Sequence, residues 1–197
     1  MKLSRKEKNS YWMPYTDNDW FKKKPRLLES AKGMYYTTSE GQKILDAVAG
    51  LWCVNAGHCR NDIVKAVQKQ VKKMDYSLSF QMGHKASFEF AEKLTSILPN
   101  EISSVFFTNS GSEAVDTALK IALAYFDAIG KGTKKKLIGR ARGYHGSGFG
   151  GTSVGGIAAN RHQFGNLLNG VIHLPHTHIP EKNSFSWGQP KYGHERA

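Results

Sequence analysis

Residues 104–125 read as three parts in immediate succession: a short apolar stretch, a tight polar turn at Asn109-Ser110-Gly111-Ser112, and a long helix. A strand that turns at once into a helix confines the chain to alternating α/β architectures. It also puts the turn at the carboxyl end of a strand, where open α/β sheets hold their ligands. A helix start offers N–H groups without intrahelical partners and a partial positive charge, which suit a phosphate. Gly111 lets an anion approach the backbone, and Ser110 and Ser112 add hydroxyl donors. The same residues carry a second reading, because Ser110 and Glu113 fit the Ser-x-x-Glu capping box, which needs no ligand.

The segments around this unit repeat its logic. Residues 11–26 are irregular and aromatic-rich, with Tyr11, Trp12, Tyr15, Trp20 and Phe21. Residues 34–38 and 43–45, separated by Glu40-Gly41, predict two antiparallel strands. From Asn61, a candidate cap, the apolar residues Ile63, Val64, Val67, Val71 and Met74 recur at helical spacing, and residues 87–98 repeat the pattern until Pro99 ends it. Residues 105–108, 136–139 and 170–174 predict strands, and 112–129 a helix ended by Gly130. Strands alternating with helices predict a parallel, layered α/β domain. Residues 143–170 are glycine-dense with Arg161 as the one charged residue, and long ordered loops of this kind line sites. The last segment, 176–197, is polar and has no recognisable closing element, so the chain is expected to stop within a domain.

Composition narrows the function classes. The net charge is +12, with basic runs at residues 2–8, 22–26, 72–73 and 134–136. These runs are scattered, and no RNA-binding or helix-turn-helix signature accompanies them, so a solvated basic surface is preferred to a nucleic-acid interface. The first ten residues have no apolar core of a secretion signal, and the longest uncharged apolar-looking stretch, 47–59, is too short to span a bilayer. A cytoplasmic protein without membrane association is expected. Cys53 and Cys59 make neither a disulfide framework nor a zinc knuckle.

Several motifs are less informative alone. Gly146-Ser147-Gly148-Phe149-Gly150-Gly151 satisfies G-x-G-x-x-G, but no Asp or Glu falls between Gly146 and Pro180 to hold a ribose, which argues against a nicotinamide or flavin cofactor. His173, His176 and His178 lack a nearby carboxylate or thiolate, and Pro175 breaks the helix that would aim them, so packing is preferred to a metal. Tyr144 or His145, flanked by Gly143 and Gly146 after a predicted strand, could lie flat on a planar cofactor or simply pack over the loop. Trp52, in a glycine-bounded loop, is either core or pocket wall, and core is the default.

Taken together, residues 51–58, 106–120, 143–146 and 150–156 resemble the class III aminotransferases, and within them the ω-amino acid–pyruvate aminotransferases. The likeness runs from about Trp12 to Gly188. It implies fold type I of the pyridoxal 5′-phosphate (PLP) enzymes: residues 1–60 contributing to a small α+β domain, and 61–197 forming the first part of a three-layer α/β/α large domain. It implies that Ser110, Gly111 and Ser112 hold the cofactor phosphate and that Tyr144 stacks on the pyridine ring. Trp52, Tyr15 and Phe80 would line the substrate pocket, Phe80 that of a neighbouring subunit, since the family builds its sites at a dimer interface. The implied reaction moves an amino group from an ω-amino acid or amine of the β-alanine type to pyruvate, in a homodimer or dimer of dimers.

The chain also departs from the family pattern. The lysine that carries the cofactor, and the acidic partner of the pyridine nitrogen, are expected beyond Ala197. Lys182 and Lys191 do not match the lysine motif, so no catalytic residue is assigned, and this portion is expected to be inactive by itself. Cys59 stands where the family has glycine. Two other readings are open: a related class III enzyme, such as a diamine aminotransferase or an aminomutase, and a non-catalytic basic module that binds anions or nucleic acid.

Overall fold

The computed structural model describes residues 3–165 and 167–184. Most of the polar tail, including Lys191, and the end of the resemblance at Gly188 lie outside the described residues. The chain divides between Glu89 and Phe90 into two compact units.

The first unit opens with two short helices, each started by a polar cap. In α1 (Arg5–Ser10) Ser4 and Glu7 form a reciprocal capping box, and in α2 (Asn18–Lys23) the Asp17 side chain accepts from the Trp20 N–H. An antiparallel sheet follows in the order β1 (Leu28–Lys32), β2 (Tyr35–Thr38), β3 (Lys43–Leu45), with Ala31 opposite Tyr36 and Tyr36 opposite Ile44. This is the small antiparallel unit expected from residues 34–45, extended by one strand. The chain then makes one left-handed turn, α3 (Ala49–Trp52), in which Ala49, Gly50, Leu51 and Trp52 have φ of 49°, 58°, 60° and 70°. Left-handed backbone costs an L-residue roughly 1–2 kcal/mol, so the three non-glycine residues of this four-residue turn need external support.

Next come α4 (Asn61–Lys73) and α5 (Lys85–Thr95). Arg60, rather than Asn61, is the cap residue of α4, and it makes no side-chain capping bond. Ile63, Val67 and Val71 do share a face of α4, but each stays about half exposed. The stripe is amphipathic as expected without being core among the described residues.

In the second unit, α6 (Gly111–Ala128) confirms the expected long helix, and Gly130, with φ of 74°, follows its end. Two parallel strands, β4 (Leu137–Arg140) and β5 (Val171–Leu174), pair with Ile138 opposite Ile172 and Gly139 opposite His173. Residues 105–108 are not a strand, contrary to expectation. Their apolar composition suits one, but a strand is defined by its ladder, and no described strand pairs with them. The glycine-dense segment contains α7 (Phe149–Val154) and two single 3₁₀ turns, Ala158–Asn160 and His162–Phe164. A final short helix, α8, covers Pro180–Asn183.

The covered centre of this unit is the junction of β4 and α7, where Gly139, Gly150, Gly151, Ser153, Val154 and Gly155 are buried. Backbones meet here with no side chain between them. A Cβ on Gly139 would strike the Val154 carbonyl, one on Gly151 the His145 carbonyl, and one on Gly156 the Arg140 carbonyl. No described helix is long and apolar enough to cross a membrane.

Candidate functional site

The polar turn before α6 caps the helix. Ser110 is the N-cap, and its Oγ accepts from the Glu113 N–H at 3.1 Å. The Glu113 carboxylate reaches back to the N–H of Asn109, one residue before the cap, at 2.9 Å. The capping reading therefore holds in a displaced form. It leaves the N–H groups of Gly111 and Ser112 with no intrahelical carbonyl to bond. A Cβ placed on Gly111 would meet nothing within 4 Å, so the space beside its Cα is open.

The loop after β4 closes over the first two turns of α6. Ser147 donates its N–H to Ser112 Oγ at 3.0 Å, and the two hydroxyls lie 3.3 Å apart. Gly146, at φ of 97°, sits so close that a Cβ there would lie 2.6 Å from Ser112 Cα. One turn further along the same helix face, Asp116 accepts from the Gly151 N–H at 2.7 Å and the Gly150 N–H at 3.4 Å. Those are donors in the first turn of α7, which a carboxylate satisfies and whose dipole it opposes. Helix α6 thus holds the Tyr144 loop through Ser112 and the start of α7 through Asp116.

Tyr144 lies three residues before Ser147, half exposed, in a small cleft shared with His145, Thr152, Asn160 and Arg161. The structure thus gathers Ser110, Gly111, Ser112 and the Tyr144 loop at one end of α6. Asp116 and Ser147 went unnoticed in sequence. Asp116 could have been found from its i, i+4 spacing to Ser112, whereas Ser147 carries no signal of its own. His173 Nε2 donates to the Gly155 carbonyl, 2.9 Å away, which agrees with a packing role.

Trp52, Tyr15 and Phe80 belong to the first unit. Trp52 is 73% exposed, Tyr15 87% and Phe80 77%. The default of a core Trp52 is therefore corrected: the left-handed turn carries the indole outward. Behind it lies a polar cluster. Asp46 Oδ2 is 2.7 Å from His58 Nε2, and the two side chains are 3% and 10% exposed. The Asp46 carboxylate also accepts from the N–H groups of Gly50 at 2.7 Å and Val48 at 3.2 Å. The Tyr36 ring packs at 4.4 Å from the His58 ring. Burial pushes the Asp46 carboxyl upward, but the bonds from His58, Val48, Gly50 and Tyr36 outweigh it and hold it below the usual carboxylate range. Burial and the Asp46 charge raise the Tyr36 phenol. Cys59, next to this cluster, has φ of 52°, a conformation glycine adopts more cheaply. Both cysteines are free and exposed.

Solved relatives place this architecture. An ω-transaminase from Pseudomonas jessenii in complex with PMP superposes with a TM-score of 0.85 at 35% identity, over 90% of this chain and 40% of that one. An amine transaminase from an uncultivated Pseudomonas species, PLP-bound, gives 0.81 at 34% identity over 87% and 40%. The fold is a partial α/β portion of the PLP-dependent transferases of fold type I. The profile of "Aminotransferase class-III" matches residues 18–190, and the chain belongs to that family. Among curated relatives, an omega-aminotransferase of Caulobacter vibrioides is 60% identical over 94% of this chain, and an omega-amino acid–pyruvate aminotransferase of Pseudomonas putida 48% identical over 94%. The chain spans about two fifths of the length of these relatives, 42% and 41%.

Proposed function

We propose that this protein works as a PLP-dependent aminotransferase, moving an amino group from an ω-amino acid or amine of the β-alanine type to pyruvate. The observation that carries the reading is the open α6 N-terminus with the Tyr144 loop tied down beside it, in a chain of the class-III family. The N–H groups of Gly111 and Ser112 and the Ser110 and Ser112 hydroxyls suit a phosphate, and the space beside the Gly111 Cα is clear. Glu113 and Asp116, the acidic residues nearest the seat, are turned onto backbone N–H groups.

When bound, PLP supplies an electron sink for the carbon that bears the amine. The chain's own part is to fix the cofactor. The α6 donors would hold its phosphate, and the Tyr144 ring would stack on the pyridine, a contact worth about 0.5–1.5 kcal/mol beyond area burial. By family resemblance, Trp52, Tyr15 and Phe80 bound the substrate, Phe80 from a neighbouring subunit of a homodimer or dimer of dimers. In the same reading residues 1–60 belong to the small domain and 61–197 begin the large one. A cytoplasmic location suits two exposed free thiols, Cys53 and Cys59.

The test is a donor screen on a protein that carries this chain together with the cofactor lysine expected beyond Ala197, supplied with PLP, comparing pyruvate with 2-oxoglutarate as acceptor. Alanine should form from pyruvate with β-alanine or simple amines as donors. Transfer to 2-oxoglutarate alone, or no cofactor retention with salt-sensitive binding to DNA instead, would overturn the reading.

A further inference from the structure

The left-handed turn raises a question that the phosphate seat does not answer. Three of its four residues, Ala49, Leu51 and Trp52, adopt a backbone that each disfavours, and the last of them is Trp52. Something must hold them there, and the candidate lies directly beneath. Asp46 accepts from Val48 and Gly50, the residues that flank Ala49 at the entry to the turn, and from His58 at the far end of the loop. His58 is itself anchored twice. Its backbone exchanges two hydrogen bonds with Gly33, from Gly33 N–H at 3.0 Å and to the Gly33 carbonyl at 2.8 Å, and its ring rests on Tyr36 of β2. The loop from 46 to 58 is therefore closed by a side-chain pair at its neck and joined to the β-sheet through that pair.

Three observations separate this pair from an ordinary surface ion pair. It is covered, whereas the other ion pairs of the described residues, Arg60–Asp62 and Lys85–Glu89, are exposed. Its carboxylate faces the main-chain donors of Val48, just before the turn, and Gly50, within it. And Gly50 is packed against the cluster: a Cβ there would lie 3.0 Å from Val54 Cγ2 and 3.3 Å from the Tyr36 hydroxyl. A carboxylate with several such partners loses much more than one bond when its charge is removed, because the remaining donors are left buried without a match.

We infer that Asp46 and His58 are positioning residues for substrate recognition: they hold the left-handed Ala49–Trp52 turn and so fix the indole of Trp52. The functional half of this inference rests on the proposed place of Trp52 at the substrate.

The test compares Asp46→Asn with the parent in the same lysine-bearing, PLP-loaded protein, with His58→Gln as a second variant that removes only one partner of the carboxylate. Amide hydrogen exchange over residues 48–54 should accelerate at least tenfold, and KM for the amine donor should rise about tenfold with kcat changed less than twofold. Cofactor retention should stay the same. Adding Ala49→Gly, which accepts the left-handed conformation without support, should restore part of the lost KM. Unchanged exchange in both variants would overturn the clamp. Faster exchange with unchanged KM, while Trp52→Ala does raise KM, would overturn the positioning role. If Trp52→Ala itself leaves KM unchanged, the inference falls because the reading of Trp52 has failed, while the exchange data still report on the clamp.

Discussion

Replacing Gly146 by alanine should loosen the Tyr144 loop from α6 and weaken cofactor retention. The added Cβ would lie 2.6 Å from Ser112 Cα, 2.7 Å from its Oγ and 2.9 Å from its Cβ. Carbon atoms rest about 3.5–4.0 Å apart, so the overlap is about 1 Å against the backbone of the first turn of an 18-residue helix. The helix cannot yield, so the loop must, and the Ser147 N–H to Ser112 bond goes with it. Overpacking costs about 1–3 kcal/mol, and a φ of 97° imposed on alanine costs a further 1–2 kcal/mol or so. The sum, about 2–5 kcal/mol, corresponds to a fall in Tm of roughly 5–15 °C for a chain of this size. Gly130→Ala is the control: its φ is 74°, but an added Cβ there meets nothing within 4 Å, so it carries the backbone cost alone. Thermal unfolding followed by circular dichroism, with PLP retention after gel filtration, reads both effects. If Gly146→Ala unfolds within 2 °C or so of Gly130→Ala and retains PLP equally well, close approach is not what fixes the loop, and the argument fails.

Asp116→Ala should leave two N–H groups at the start of α7 unmatched, cost about 1–3 kcal/mol in urea unfolding, and speed exchange of the Gly150 and Gly151 amides; exchange at the parent rate would count against the grip. Cys59→Gly should stabilise the protein by up to about 1 kcal/mol, since glycine relieves the left-handed strain at φ of 52° but adds its own chain entropy. A lower Tm would show that the thiol makes a contact outweighing the strain. The carboxyl of Asp46, held below its usual range, contributes stability that is complete above the ordinary carboxylate pKa and is lost as pH falls through the lowered one. Exchange over residues 48–54 should therefore rise on acidification below that ordinary range, and the rise should vanish in Asp46→Asn; an identical acid profile in the variant would remove Asp46 as its source.

Sequence pattern revealed the second unit better than the first. The helix at 111–128 and the strands at 137–140 and 171–174 have propensity, period and punctuation in agreement, so local rules suffice for them. Residues 105–108 look equally strand-like, yet pairing is a property of two segments, and the local pattern cannot supply the second. Ala49, Leu51 and Trp52 have no preference for left-handed backbone, and the pair that holds them is separated by twelve positions; nothing short-range announces it. The cap at Ser110 was legible because Ser-x-x-Glu at a helix start carries its own local signal. The contribution of Asp116 was not, because a carboxylate on an amphipathic helix is ordinarily a solvated one.

The bare contacts at Gly139, Gly151 and Gly156 have a consequence for how this region can vary. At each of them the obstacle is a neighbouring carbonyl group of the main chain, which no choice of companion residue can trim away. Compensating mutations, the usual route by which a packed interior drifts, are therefore closed to this junction. In a saturation library selected for folding, these three columns should stay blank while Leu137 and Ile172 on the adjoining strands accept other aliphatic residues.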